Sequence, residues 1–485
     1  KKKVDRTNKQ KVIRGLSSQS IITLVLGIVE ISSFSIMSRL LTREDFGYYA
    51  TITAITAIFA TFSETGIGSA IVQRKNVDEN YLNNAFTLSV VIGCFLMFAL
   101  MSLSGVLASS FVDSSIQLPL ILISITLLMR CITSINLSVL QRNLEFYKMG
   151  FCKLFTLIIT TVVAICLAVK GFGYYAILTK AILDSLLLLV FSFLFAKIKL
   201  SISWNPEIIK SIFGFSGWLM AGVLFRNLSL QIDKLLMSRL LSVSALGAYN
   251  RPKEFINQIS SNLNNIFDTT LFPILSKIQD DKSKLIYAYK TSLYYMNAFA
   301  LFLSLGFIFN ARLIIQIFFG SEWLNLEVVF QILSVALLFN IDGRLSDCYL
   351  RSLALTKQQF CFRVAEFCFK IIAILIAVQW DLLGIAIAIV ATNSIMTIIK
   401  ILYIGKKLNI GHLDVLKTIL FSWKSSLIAI PIFLIFRLYL QQSILNNVIM
   451  LLVFLVVTLS FFICFPNVVG EKYKAEFYPK IILKL

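Results

Sequence analysis

The sequence contains few of the residues on which soluble domains and most enzymes depend. Only 14% of its 485 residues are charged, and it has one histidine and seven prolines. Soluble domains have about 25% charged residues, so this composition excludes that class. The eight cysteines form no Cys-x-x-Cys pair, and the chain has neither a phosphate-binding glycine loop nor a long polar segment. We therefore expect no enzyme, no metal site and no cofactor.

Hydrophobic residues make up 58% of the chain and fall in stretches of about 20, the length of a membrane-spanning helix. They predict an all-α polytopic membrane protein with about fourteen spans, among them Phe46–Ala70, Ser211–Ser238 and Val243–Leu275. The predicted segments are a basic N-terminus (1–15), an N-lobe of six spans (16–196), a linker (197–210), a C-lobe of six spans (211–404), two further spans (416–465) and a tail (466–485).

Basic residues outnumber acidic ones by 45 to 25. With the N-terminus inside, most of them fall on the inner side. The outer side receives Arg39, Arg43, Lys170, Lys234, Arg239, Arg251, Lys253, Arg312 and Arg437. The positive-inside rule then predicts that both termini are cytoplasmic. Because the basic residues are spread over many segments, we expect contact with membrane lipids and no nucleic-acid partner.

A weak internal repeat relates the two predicted lobes. Ser38-Arg39-Leu40-Leu41, Gly47 and Tyr49 recur as Ser238-Arg239-Leu240-Leu241, Gly247 and Tyr249. Further along, Arg142, Leu144, Lys148 and Phe151 recur as Arg351, Leu353, Lys357 and Phe360. Because six spans separate the copies, both lobes have the same orientation. Two such lobes around a central cavity are typical of alternating-access transporters.

Several segments resemble the polysaccharide transporter family. They are SRLLTREDFGYY (38–49), TGIGSAIVQRKNVDE (65–79), LQRNLEFYKM (140–149), GFGYYAI (171–177) and DKLLMSRLLSVSALGAYNRPKEF (233–255). This is the Wzx-type O-antigen and exopolysaccharide flippase branch of the multidrug/oligosaccharidyl-lipid/polysaccharide exporter superfamily.

The resemblance implies a secondary transporter of the bacterial inner membrane that moves undecaprenyl-pyrophosphate-linked sugar repeat units outward. We expect a monomer that is driven by an H⁺ or Na⁺ gradient and works beside polymerase and chain-length proteins of its pathway. A multidrug or cation antiporter of the same superfamily is the alternative.

Ionisable residues within predicted spans are candidates for function, because charge is costly at membrane depth. The basic ones are Arg130, Lys180, Arg226, Arg344 and Lys370, which we expect to form a cationic cavity for the pyrophosphate group. A structural role is the alternative for some of them. Asp184 and Glu366 lie four residues from Lys180 and Lys370, and Asp347 lies three from Arg344, so these pairs could neutralise themselves.

Five acidic residues are candidates for ion coupling: Glu30, Glu64, Asp184, Asp342 and Glu366. A carboxylate that moves between wet and dry surroundings can take up and release a proton, or bind Na⁺ with neighbouring oxygens. Their alternative role is to neutralise the basic residues.

Overall fold

The computed structural model describes Ile22 and residues 25–63, 67–74, 77–198, 200–214, 217–266 and 271–427. Within these ranges the chain folds into helices joined by short turns, without strands, which confirms the all-α class. Seven helical segments are long and apolar enough to cross a membrane, and one of them, Thr356–Lys407, comprises two helices. The chain is thus a multi-pass membrane protein.

We number the helices in chain order. α1 is helical over 25–40. The N-lobe continues with α2 (Arg43–Ser63), α3 (Ile67–Gln73), α4 (Glu79–Phe111), α5 (Gln117–Arg142), α6 (Phe146–Val169) and α7 (Tyr174–Ala196). A short helix α8 (Pro206–Gly214) leads to the C-lobe, with α9 (Gly217–Leu240), α10 (Val243–Ile266), α11 (Phe272–Lys277), α12 (Lys282–Phe309), α13 (Ala311–Phe318), α14 (Glu327–Ser352), α15 (Thr356–Ala377) and α16 (Asp381–Lys407). α17 (His412–Leu427) follows.

Three predicted spans differ from the helices. Phe46–Ala70 was predicted as one span, but α2 ends at Ser63 and α3 is separate. The span predicted from Ser211 starts later, because glycines, which lower helix propensity, lie between α8 and α9. The span predicted to end at Leu275 is divided, because Pro273 can begin α11 but cannot continue a helix. The last predicted span and the end of the thirteenth lie outside the described residues.

The internal repeat is visible in the turns that follow α5 and α14. Leu144 and Ala354 both have a left-handed backbone, with φ of 58° and 55°. In each turn the next residue donates its N–H back into the last helical turn, from Glu145 to Leu140 O (2.9 Å) and from Leu355 to Leu350 O (2.8 Å). The two turns thus end their helices in the same way. This agreement supports the repeat inferred from the sequence.

The lobes meet where α2 crosses α10. A β-carbon at Gly47 would lie 2.7 Å from the carbonyl carbon of Val243, and one at Gly247 would lie 2.8 Å from the carbonyl carbon of Arg43. The two contacts are the same contact with the lobes exchanged, at a spacing of 200 residues. α2 and α10 therefore cross about a local two-fold axis, with backbone against backbone.

The segment between the lobes lies along α4. Backbone N–H groups of Ser201, Ser203 and Asn205 donate to side-chain oxygens of Asn83, Thr87 and Asn84, at 2.9, 2.9 and 2.5 Å. These amide and hydroxyl groups satisfy an extended backbone that has no strand partner among the described residues. The predicted linker is therefore held against the N-lobe.

Candidate functional site

Charged side chains from both lobes converge on Tyr49 of α2. Arg130 of α5 and Asp184 of α7 come from the N-lobe, and Arg251 and Glu254 of α10 come from the C-lobe. All four interact electrostatically with the Tyr49 hydroxyl. Because these helices line the junction of the lobes, we take this cluster as the candidate functional site and call it the Tyr49 cluster.

On the N-lobe side, one of the pairs considered from the sequence is present. Lys180 Nζ lies 3.0 Å from an oxygen of Asp184, whose other oxygen accepts from Thr160 Oγ1 at 2.5 Å. The Lys180 charge is therefore balanced within α7. Arg130 is exposed. Its position near Tyr49 places its guanidinium group on the side of α5 that faces the junction.

On the C-lobe side, Arg251 is inserted into the N-lobe. Its guanidinium lies over the rings of Phe34 and Phe46, 3.4 and 4.1 Å from their centroids. It also donates to Ser38 Oγ at 2.9 Å and to the Phe34 carbonyl at 2.7 Å. Glu254 lies 3.7 Å away. Arg251 is thus a buried cation with cation–π and hydrogen-bond partners from the opposite lobe.

A second buried group lies between α9, α10 and α15. Asp233 is fully buried, forms an ion pair with Lys253 and accepts from the Tyr249 hydroxyl at 2.9 Å. Lys370 is 5% exposed, and its Nζ donates to the carbonyl and hydroxyl oxygens of Ser229 at 2.9 and 3.3 Å. The Lys370 charge also acts on Asp233. Two ammonium groups therefore face one carboxylate.

Sequence reasoning missed part of this site. It assigned Lys234, Arg251 and Lys253 to the outer side, whereas the structure places them within α9 and α10 with side chains no more than 15% exposed. The available signal was that all three fall between two acids, Asp233 and Glu254, at the junction of predicted spans.

The pairing of Glu366 with Lys370, which the sequence left open, is replaced by pairs between helices. Glu366 of α15 binds Lys400 of α16 at 3.1 Å, although the sequence had placed Lys400 in an inner loop. Asp347 lies 3.5 Å from Arg363, and the charge of Arg344 also acts on it. The Arg344 and Glu366 regions therefore form a network that connects α14, α15 and α16 beside the Tyr49 cluster rather than within it.

The remaining candidates lie apart from one another. Glu30 of α1 accepts from Gln258 Nε2 of α10 at 2.8 Å, so it too lies at the junction of the lobes. Arg226 of α9 is exposed, next to Asn227, which donates to Thr61 of α2 at 3.0 Å. Glu64 lies outside the described residues.

Asp342 has different surroundings. It is 1% exposed and accepts a hydrogen bond from the Asn297 amide, whose oxygen accepts from Ser422 Oγ at 2.8 Å. Its second carboxylate oxygen, Oδ1, has no hydrogen-bond partner among the described residues. Asp342 thus joins α12, α14 and α17 through neutral groups.

The basic side chains at the junction outnumber the acidic ones. Two groups of similar size meet there: Arg130, Lys180, Lys234, Arg251, Lys253 and Lys370, against Glu30, Asp184, Asp233 and Glu254. The described residues contain no group of three or more His, Cys, Asp or Glu arranged to hold a metal. The chemistry that this arrangement favours is recognition of an anionic group by positive charge, without bond making or breaking.

Comparison with known proteins agrees with this geometry. The family model described as "Polysaccharide biosynthesis protein" matches residues 36–328. The lipopolysaccharide biosynthesis protein WzxC of Escherichia coli K12 is 23% identical over 395 residues, which cover 81% of this chain and 80% of that protein. The teichuronic acid biosynthesis protein TuaB of Bacillus subtilis 168 is 22% identical over 340 residues, or 67% of this chain and 68% of its own.

Two solved structures share the fold. The lipid II flippase MurJ in an inward closed conformation superposes with a TM-score of 0.72 at 17% identity, covering 93% of this chain and 99% of that one. An inward-facing multidrug resistance transporter of the MATE family, from the MOP superfamily, gives 0.63 at 13% identity, covering 81% and 98%. At these identities the likeness establishes the two-lobe transporter fold alone.

Proposed function

Because the chain belongs to the polysaccharide biosynthesis protein family, we propose that it is a flippase for lipid-linked oligosaccharides. The cargo is an undecaprenyl-pyrophosphate-linked sugar repeat unit, carried outward across the bacterial inner membrane by alternating access. Both termini are cytoplasmic, and the protein is a monomer that delivers cargo to polymerase and chain-length proteins. Relatives named for lipopolysaccharide and teichuronic acid biosynthesis support this substrate class.

The excess of positive charge at the junction of the lobes is the observation that supports the proposal most directly. A pyrophosphate group must leave the hydrated surface of the membrane, which is unfavourable unless fixed positive charge replaces its water. Guanidinium groups bind phosphate oxygens in a bidentate manner. Arg130 is the best placed for this contact, because it is exposed, whereas Lys180 is already paired with Asp184.

Proteoliposomes that contain the purified protein and undecaprenyl-pyrophosphate-linked oligosaccharide test the proposal. The sugar that becomes accessible to an external glycosidase measures flipping. We expect Arg130→Ala to reduce the flipping rate by about tenfold or more, the loss typical of a hydrogen bond to a charged group. Lys170→Ala, at an exposed site after α6, is the matched control. Flipping at the wild-type rate in Arg130→Ala would contradict the cationic-cavity mechanism.

A cation or drug antiporter is the second candidate. It is favoured by Glu30, a half-buried acid at the junction that accepts from a neutral glutamine amide. Such a carboxylate could attract an organic cation. Dye-efflux assays of the same proteoliposomes separate the two functions, since an antiporter would export the dye and be inhibited by Glu30→Gln.

Ion coupling, where present, is assigned by this proposal to Asp342 and to a proton. A buried carboxylate with neutral partners is stable only when protonated, and it loses the proton when a conformational change admits water. The pairing of Asp184 with Lys180 and of Glu366 with Lys400 makes those carboxylates less suitable. An imposed pH gradient should accelerate flipping in the wild type and not in Asp342→Asn. An equal response of both proteins would exclude Asp342.

A further inference from the structure

Two arginines join the lobes at the end that the predicted topology places outside. Arg39, at the end of α1, donates through Nη2 to the carbonyl oxygen of Ile317 at 2.7 Å. Arg239, at the end of α9, donates through Nη1 to the carbonyl oxygen of Ser110. Ile317 and Ser110 each lie in the last turn of a helix, α13 and α4. Each arginine therefore contacts the C-terminus of a helix in the opposite lobe.

This contact is chemically favourable on both sides. The last four carbonyl groups of a helix have no partner within that helix. They also form the negative end of the helix dipole, which attracts a cation. A guanidinium group satisfies both requirements at once. Because its acceptor is a backbone carbonyl, the contact depends on the position of the helix end and not on the side chain there.

The two contacts correspond under the repeat. Arg39 and Arg239 occupy equivalent positions in SRLL, and their acceptors lie in the connections that follow α4 in one lobe and α12 in the other. Neither contact can persist when the lobes separate at this end, since each spans both. Transport by alternating access requires that separation.

The surroundings of the two arginines differ. Next to Arg39, the Trp323 indole donates to Ser38 O at 3.1 Å, and Arg43 donates to Glu322 O at 2.7 Å. These bonds also join the lobes. Next to Arg239, a cavity of about 530 Å³ lies between residues 109–112 and 238–243. The Arg39 side is reinforced by neighbouring contacts, whereas the Arg239 side adjoins open space.

We propose that Arg39 and Arg239 form a two-point clamp that holds the outer ends of the lobes together, and that Arg239 is its releasable point. Loss of Arg239 favours the state in which this end is open, with little effect on binding of cargo. Loss of Arg39 has a smaller effect, because Trp323 and Arg43 continue to connect the lobes. The clamp does not depend on which substrate the protein carries.

Distances between spin labels test the clamp. Labels at Lys170→Cys and Gln379→Cys, both exposed and in opposite lobes, would be introduced into a version of the full chain without other cysteines, in nanodiscs. Double electron–electron resonance then reports the separation of the lobes without any substrate, so it is independent of the proposed cargo. Arg312→Ala, at an exposed arginine of α13, is the matched control.

We expect Arg239→Ala to raise the ratio of long-distance to short-distance populations about tenfold, as for loss of a charge-assisted hydrogen bond. Arg39→Ala should give a smaller increase, the double variant the largest, and Arg312→Ala none. Arg239→Lys, which keeps the charge and folds under the same constraints, should lie between wild type and Arg239→Ala. An unchanged distribution in both Arg239 variants, or a larger effect of Arg39→Ala, would overturn the proposal.

Discussion

The crossing of α2 and α10 leads to a quantitative prediction for Gly47→Ala. The new β-carbon would lie 2.7 Å from the carbonyl carbon of Val243, whereas ordinary contact begins at 3.4 Å. The helices must therefore move apart by at least roughly 0.7 Å to restore contact distance. Overpacking of this kind costs about 1–3 kcal/mol. The cost falls only on the state in which the helices touch, so the equilibrium shifts by about 5- to 150-fold towards separation.

The assay for this prediction is the spin-label distance between the lobes described above. Gly47→Ala and Gly247→Ala should both increase the long-distance population, and to similar extents, because their contacts are equivalent by the repeat. Gly105→Ala in α4 is the control, since its β-carbon would lie 3.4 Å from the nearest atom, the side-chain nitrogen of Gln117. Alanine favours helix more than glycine does, so helix loss cannot explain a shift. A wild-type distribution in both variants would refute the reasoning.

Three further predictions concern stability and coupling. Lys253→Met should lower the free energy of unfolding by about 3–5 kcal/mol, because it leaves Asp233 buried without its ion-pair partner. Adding Asp233→Asn should restore much of the loss, as thermal unfolding in detergent would show; no recovery would contradict the pairing. Trp323→Phe removes one hydrogen bond to Ser38 and should cost about 1 kcal/mol, again measured by thermal unfolding. The pH dependence of flipping should disappear in Asp342→Asn, and an unaltered pH profile would argue against a proton site there.

The helices could be predicted from the sequence to the extent that hydrophobicity defines them. The long apolar runs predicted α4 to α7 within a few residues, because nothing polar interrupts them. Divisions such as that before Pro273 were missed, since average hydrophobicity over a window does not register a single helix-breaking residue.

The site could be predicted only in part, because ion pairs form between helices as well as along them. Spacing within one helix correctly indicated Lys180 with Asp184. The same rule suggested Glu366 with Lys370, whereas the partner of Glu366 is Lys400 from the next helix. Contacts between helices depend on how the helices are oriented and packed, which a single sequence does not specify.

The exchanged contacts of Gly47 and Gly247 also bear on the origin of the molecule. An interface in which one residue contacts a second, and the equivalent of the second contacts the equivalent of the first, is isologous, the arrangement found in two-fold symmetric homodimers. We infer that the gene arose by fusion of two copies of a six-helix protein that already dimerised through this glycine. Arg251, whose counterpart is the buried Thr51, then marks divergence after fusion. A chain cut within residues 198–205 should accordingly reassemble from its two halves when both are expressed together, and failure of the halves to associate would contradict this origin.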